Sequence, residues 1–133
     1  MGAEIIDEID VDKLDLMVKK GMDERVEMYS VFADSFGNMM AGSGGVSHDL
    51  AKVLEEKGIS HVYVVGLAGD YCVKATAIDA AKAGFESFVV EEGTRCVSSQ
   101  DWDATKDDLH RHNVKVVSGD GEEVGRVRAI AAA

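Results

Sequence analysis

One segment combines a reactive side chain with a setting that would activate it. The apolar run at 62–65 leads through Gly66-Leu67-Ala68-Gly69-Asp70-Tyr71 to Cys72, which predicts a strand passing directly into a helix with the thiol in its first turn. The unpaired N–H groups and the positive dipole end of a helix favour a thiolate over a thiol. The same N–H groups can hold the oxyanion that forms when a thiolate attacks an amide carbonyl. The segment therefore predicts a nucleophilic Cys72, with a small buried hydrophobe as the open alternative.

Alternating strands and helices surround this segment. Strands are predicted at 14–19, 61–66, 85–90 and 114–117, and helices at 72–83, 102–112 and 122–131, with one more between an Ser47 cap and a left-handed Gly58. The run at 61–66 lacks polar alternation, which is typical of a strand buried on both faces of a parallel sheet. Strands that alternate with helices predict right-handed parallel crossovers. Ligands bind at the carboxyl ends of such strands, where Cys72 would lie.

Composition narrows the function classes. The 133 residues fit one domain, and 14 Lys and Arg against 25 Asp and Glu give a net charge of -11. Because no segment gathers basic residues, we expect neither nucleic acid nor a membrane as partner. Two cysteines and no visible secretory signal predict reduced thiols in a cytoplasmic protein.

Five segments resemble the nicotinamidase branch of the isochorismatase-like cysteine hydrolases. They are V-K-K-G-M-D at 18–23, Y-S-V-F at 29–32, V-V-G-L-A-G-D-Y-C-V-K-A-T-A at 64–77, D-A-A-K-A-G-F at 79–85 and E-G-T-R at 92–95. The resemblance implies an α/β fold, a Rossmann-like three-layer sandwich with a parallel sheet and helices on both faces. It also implies hydrolysis of nicotinamide to nicotinic acid and ammonia through a thioester, with another amide or carbamoyl compound as the alternative substrate.

The resemblance carries functional roles onto individual residues. It implies that Cys72 is the nucleophile, that Lys20 is the catalytic lysine and that the N–H groups of Ala68 and Cys72 form the oxyanion hole. The family's non-proline cis peptide would join Leu67 to Ala68. Tyr71 and Tyr29 occupy positions that in the family lie close to the pyridine pocket.

The sequence also departs from the family. The aspartate of the family's triad belongs to a D-x-Q-x-D-F-like motif, and nothing in residues 1–14 has that form. The family's D-W-H-P-x-x-H-like metal segment, which typically binds zinc, has no counterpart either, so we expect no metal cofactor in this chain. We interpret residues 1–133 as one truncated domain, the C-terminal portion of such an enzyme, lacking two N-terminal strands and keeping about four. We expect it to be inactive alone; the alternative is a non-catalytic pseudoenzyme that acts as a self-associating or binding module.

Other polar residues carry weaker hypotheses. Two aspartates are candidates for a replacement base, because Asp70 lies two residues before Cys72 and Asp23 lies three residues after Lys20. Helix capping is the favoured role for Asp70. Cys96 follows a predicted strand and is interpreted as a small, semi-buried residue. The four histidines lack ligand spacing and are predicted to lie at the surface: His48, His61, His110 and His112.

The apolar strand at 62–65 is expected to have an uncovered edge, because the two N-terminal strands of the family have no counterpart in this sequence. An exposed apolar edge is a template for pairing with another chain. We therefore expect a homodimer or larger assembly, with the strand at 14–19 relocated or exchanged. An N-terminal fragment supplied in trans is a further expected partner, and a small-molecule amide is the expected substrate if the chain is active.

Overall fold

The computed structural model describes residues 50–132 continuously, together with positions 12, 15–16 and 30–32. Helices and strands alternate along the continuous part, as the sequence predicts. The helices are α1 (Leu50–Glu56), α2 (Lys74–Lys82), α3 (Trp102–Arg111) and α4 (Glu122–Ala132), and the strands are β1 (His61–Leu67), β2 (Glu86–Arg95) and β3 (Val114–Val117). A π-helical turn at Gly69–Val73 precedes α2, and a short 3-10 turn at Ser99–Asp101 precedes α3. Within these residues, no helix is long and apolar enough to cross a membrane.

The three described strands form one parallel sheet in the order β1-β2-β3. β1 pairs with β2 from His61 opposite Glu86, and the register shifts between Val64 and Gly66. β2 extends to Arg95, beyond the predicted end at 90, so both strands finish at the same edge of the sheet. Of the strand predicted at 14–19, the structure describes only positions 15 and 16, and neither lies in a strand.

One face of the sheet holds the main core. Five buried residues pack there between the sheet and helices α2 and α3: Val73, Ala77, Val89, Leu109 and Val114. A second cluster joins α1 to the same face and consists of Phe32, Ala51, Ala80 and Phe85. Because Cys72 directly precedes the core residue Val73, this packing anchors the start of the helix that carries the thiol.

Helix α4 lies on the opposite face. Side chains alternate along a strand, so Tyr63 points away from the core that takes up its neighbours Val62 and Val64. The Tyr63 hydroxyl donates to the carbonyl of Glu123 in α4 at 3.2 Å, and its ring stacks on Phe88 at 4.7 Å between centroids. The prediction of helices on both faces of a parallel sheet is confirmed.

The predicted burial of β1 on both faces is wrong for the part of the chain that the structure describes. No residue of β1 is fully buried, and Val65 and Leu67 are 56% and 76% exposed. The physical reason is position, because among the described strands β1 pairs with β2 alone and stands at the edge. The central strand β2 instead has the buried middle, at Ser87, Phe88 and Val89, that the sequence predicts for β1.

Glycines end two of the helices that frame the sheet. Gly58 (φ +72°) and Gly84 (φ +98°) adopt left-handed conformations after α1 and α2. The residues that follow them, Ile59 and Phe85, donate back to the carbonyls of Leu54 and Ala80. These bonds have the Schellman pattern, in which a residue without Cβ reverses the chain at low cost. The predicted stops at both glycines are confirmed.

Candidate functional site

The passage from β1 into the helix contains a cis peptide bond between Leu67 and Ala68. The position is the one that the resemblance implies, so that expectation is confirmed. Ala68 is in an extended conformation (φ −99°, ψ 140°), and the π-helical turn begins at the next residue. The chain therefore changes from strand to helix within a single residue, at the carboxyl end of β1.

The π-helical turn brings Cys72 into the first turn of a continuous helix. The carbonyl of Ala68 accepts hydrogen bonds from the amides of Tyr71 and Val73, at 3.1 and 3.0 Å. The second of these bonds spans five residues and makes the turn wider than an α-helical one. Cys72 is in no disulfide and is partly buried, and Val73 is only 4% exposed. The thiol thus lies on a turn whose far end is fixed in the core.

Three of the predicted site residues come together in this turn. Ala68, Tyr71 and Cys72 all belong to it, and Tyr71 is 47% exposed. Lys20 and Tyr29 lie outside the described residues, as do Asp23 and His48. The segment at 30–32 is described, and it packs beside α2, where the Val31 amide donates to Thr76 Oγ1 at 3.1 Å.

The turn approaches the end of β2 very closely at Gly69. A Cβ built on this glycine would stand 2.9 Å from the Thr94 methyl and 3.2 Å from the Cys96 sulfur. Gly69 and Thr94 are both buried. A residue with a side chain at position 69 would push the turn away from β2. The absence of a Cβ therefore sets the distance between the turn and the neighbouring strand.

Asp70 does not cap the helix, so that prediction is wrong. The turn has no side-chain hydrogen bond at its N-cap, and Oδ1 of Asp70 accepts the amide of Val97 at 3.1 Å instead. The acceptor reaches across to the segment after β2 because the carboxyl ends of β1 and β2 are adjacent. Sequence reasoning missed this contact and the contact between Cys96 and Gly69. Both follow from the fact that the residues after two neighbouring parallel strands lie side by side.

The surroundings of Cys96 disfavour its thiolate form. Burial raises the pKa of its thiol, and the nearby charge of Asp70 raises it further. A hydrogen bond with the side chain of Thr105 acts in the opposite direction with a smaller effect. The interpretation of Cys96 as a small, semi-buried residue is confirmed.

A cavity of about 350 Å³ lies at the carboxyl end of β2. Its lining includes Cys96 and Trp102 but not Cys72, and some of its polar groups bond to one another. Trp102 Nε1 donates to Glu91 at 2.9 Å, for example. The cavity therefore adjoins the turn without reaching the thiol.

Metal-binding chemistry finds no support in the described part of the chain. There, no three His, Cys, Asp or Glu side chains lie close enough together to hold an ion. Three histidines are at the surface, as predicted: His61, His110 and His112. His61 pairs with the carboxylate of Glu86, and His112 Nδ1 lies 2.8 Å from the carbonyl of Asp108.

Comparison with known proteins gives consistent matches. The family model of the isochorismatase domain matches residues 1–120. A nicotinamidase from Saccharomyces cerevisiae is 36% identical over a matched length of 121 positions, and the match covers 87% of this chain and 53% of that protein. The crystal structure of PnC1 from L. infantum in complex with nicotinate has a TM-score of 0.79 at 28% identity, covering 89% of this chain and 56% of that one. The yeast nicotinamidase Pnc1p bound to the inhibitor nicotinaldehyde has a TM-score of 0.61 at 36% identity, covering 70% and 41%. The chain spans about half the length of the curated relatives it matches.

Proposed function

The chain belongs to the isochorismatase family, and from that premise we propose that it supplies the thiol-bearing part of a nicotinamidase-type amide hydrolase. The observation that carries this proposal is the turn at the end of β1. There Cys72 sits in the first helical turn, directly after the Leu67–Ala68 cis peptide, at the edge of the sheet where ligands bind in parallel folds.

The proposed chemistry is acyl transfer through the sulfur of Cys72. The thiolate attacks the amide carbon and forms a C–S bond, while the carbonyl π electrons move to oxygen. The amides of Ala68 and Cys72 hold that oxyanion. As it collapses, the C–N bond breaks, and the nitrogen takes up the proton that the Cys72 thiol released and leaves as ammonia. Water then hydrolyses the thioester, releasing nicotinate and restoring the thiol.

Two residues outside the described part of the chain complete this proposal. Lys20 is the proposed catalytic lysine, and its positive charge beside Cys72 would favour the thiolate. Tyr29 and the half-exposed Tyr71 are the proposed contacts to the pyridine ring. The described segment at 30–32, which follows Tyr29 in the sequence, lies beside α2, where the Val31 amide donates to Thr76 Oγ1 at 3.1 Å.

The resemblance also implies a divalent metal that orients the ring nitrogen. The described residues do not fit one, because they contain no group of three suitable ligands. What these residues offer is a nucleophile, two amide donors and a partly exposed aromatic ring.

A second candidate function rests on the edge of the sheet. Val65 and Leu67 are 56% and 76% exposed on β1, which has no second strand neighbour among the described strands. A chain that uses this edge for association needs no catalytic thiol. On this hypothesis the protein is a non-catalytic, self-associating module.

One experiment separates the two candidates. In a chimera, this chain replaces the segment of the S. cerevisiae nicotinamidase that it matches, and ammonia release from nicotinamide is measured. Turnover that disappears with Cys72→Ala would support the hydrolase. A chimera that melts cooperatively yet releases no more ammonia than its Cys72→Ala counterpart would favour the non-catalytic module.

A further inference from the structure

The side chain of Asp70 joins the turn that carries Cys72 to the loop after β2. The Val97 amide donates to Oδ1 of Asp70 at 3.1 Å, between positions 27 residues apart in sequence. The side chain of Val97 is 76% exposed, so the contact depends on its main chain rather than on packing. Asp70 stands between Ala68 and Cys72, whose amides form the proposed oxyanion hole.

The same turn makes a second contact with this part of the chain. The Cys96 sulfur stands 3.2 Å from the position that a Cβ on Gly69 would take. The turn is thus hydrogen-bonded to Val97 through Asp70 and packed against the preceding residue, Cys96, through Gly69.

The other contacts of the turn act at different places. Gly69 packs against Thr94 and Cys96, which prevents closer approach but gives no direction to the neighbouring amides. Val73 is fixed in the core, and Lys74 Nζ lies 3.4 Å from Asp108 on α3. Both ends of the turn are therefore anchored, and the hydrogen bond that Asp70 accepts from the Val97 amide ties its middle to the loop after β2.

An oxyanion hole requires a fixed orientation of its amide donors. Its donors must lie about 2.7–3.1 Å from the developing charge, and misplacement by about 1 Å can cost about a hundredfold in rate. We propose that Asp70 is a positioning residue, which accepts the Val97 amide and thereby holds the Ala68 and Cys72 amides in the geometry that binds an oxyanion. This inference rests on the proposed function for the identity of the reaction, and on the contacts above for the tether itself.

Three variants of the 133-residue chain separate the hydrogen bond from the charge. Asp70→Ala removes the acceptor and the charge together. Asp70→Asn keeps an acceptor oxygen for Val97 and removes only the charge. Asp101→Ala is the matched control, because the charge of Asp101, like that of Asp70, acts on the Cys96 thiol.

Amide hydrogen exchange measured by NMR tests the tether directly. Loss of a hydrogen bond to a charged acceptor should speed exchange at Val97 and at the turn amides of Tyr71 and Cys72 by about tenfold in Asp70→Ala. Exchange in Asp70→Asn and Asp101→Ala should stay within about threefold of the parent chain. If Asp70 acted through its charge alone, Asp70→Asn would not restore the exchange rates of the parent chain.

A pair of thiol reagents tests the effect on the oxyanion. Nicotinaldehyde adds to Cys72 by forming a C–S bond while the carbonyl π pair moves to oxygen, so the adduct carries a developing oxyanion. Iodoacetamide alkylates the same sulfur with loss of iodide and creates no oxyanion. Asp70→Ala should weaken the aldehyde adduct about tenfold and leave the iodoacetamide rate within about twofold.

The proposal is overturned if Asp70→Ala leaves exchange of the turn amides unchanged, or if Asp70→Asn matches Asp70→Ala in both readouts. Failure of the parent chain to take up nicotinaldehyde would count against the proposed function alone, since amide exchange still decides the tether. If Asp70→Ala does not fold, Val97→Pro deletes the donor instead, with Val97→Ala as its control. Protection of the turn amides in Val97→Pro equal to that in Val97→Ala would also overturn the proposal.

Discussion

The sulfur of Cys96 lies against the backbone of Gly69, so that a Cβ on this glycine would stand only 3.2 Å from it. The Thr94 methyl is closer still, at 2.9 Å from the same point. Thr94 has little freedom to move, because it is 3% exposed and its hydroxyl donates to the Val90 carbonyl at 2.9 Å. The turn that carries Cys72 therefore approaches β2 as closely as a glycine allows.

Gly69→Ala is expected to destabilise the protein. The added methyl must displace Thr94 or move the turn, and overpacking of this kind typically costs about 1–3 kcal/mol. Urea or thermal unfolding measures the change. Gly125→Ala in α4 is the matched control, because nothing lies within 4 Å of its Cβ position and alanine is the better helix former by about 0.5–1 kcal/mol. Equal stability of Gly69→Ala and the parent chain would show that the turn is not confined by β2.

Cys72 should alkylate faster than Cys96. Burial and the charge of Asp70 raise the pKa of the Cys96 thiol, which leaves less thiolate at neutral pH. Peptide mapping after a timed iodoacetamide pulse measures both rates. Thr105→Val should slow Cys96 further, because the lost hydrogen bond lowers that pKa, whereas Asp101→Asn should speed it. Equal rates for the two thiols in the parent chain would contradict the prediction.

The turn before α4 should loosen in acid. Glu92 accepts the Ser118 hydroxyl at 2.7 Å and the Gly119 amide at 3.0 Å, and these bonds hold the pKa of its carboxyl below the ordinary value of 4.5. A folded pKa below the unfolded one means that the stabilisation is fully present above the unfolded value. It is lost as the pH falls through the folded pKa.

Unfolding midpoints between about pH 7 and pH 3 test this dependence. The parent chain should lose more stability over that range than Glu92→Gln, whose side chain cannot be protonated in it. Glu56→Gln on the exposed surface of α1 is the matched control and should follow the parent chain. Parallel curves for all three proteins would remove the role assigned to Glu92.

Nicotinamide hydrolysis by the 133 residues alone should not exceed that of a Cys72→Ala control. The sequence holds no D-x-Q-x-D-F-like motif to supply the base, and positioned acid–base catalysis is worth about 10²–10⁴ in rate. Ammonia release measured over hours makes the comparison. Turnover that requires Cys72 would mean that a described or undescribed residue of this chain replaces the aspartate.

The chain should form a homodimer or larger assembly through the edge of β1. Val65 is 56% exposed there, and a lysine at this position would place a charge in an apolar contact. Light scattering should therefore give a smaller mass for Val65→Lys than for the parent chain. Val97→Lys, at a residue that is 76% exposed in the loop after β2, should leave the mass unchanged. A monomeric parent chain at high micromolar concentration would refute the prediction.

Local signals account for most of the fold that could be predicted. The strands at 61–66, 85–90 and 114–117 correspond to β1, the first half of β2 and β3, because runs of β-branched and aromatic residues specify extended backbone locally. The helix stops at Gly58 and Gly84 were predictable because the left-handed conformation that ends a helix favours glycine. The place of Cys72 in a first helical turn was also predictable, because it depends only on the order of adjacent segments.

The sequence by itself thus determined the order of the elements, the parallel sheet and the thiol at the end of its first described strand. Tertiary structure alone decided that β1 stands at the edge of the described sheet and that Asp70 bonds to Val97 rather than capping its own helix. Apolar character specifies that a strand seeks burial, but the neighbours that provide burial belong to other segments. Likewise, a carboxylate near the start of a helix can accept from the helix's own amides or from a distant one. The register of β1 on β2 brings the distant donor, the Val97 amide, to 3.1 Å from Asp70.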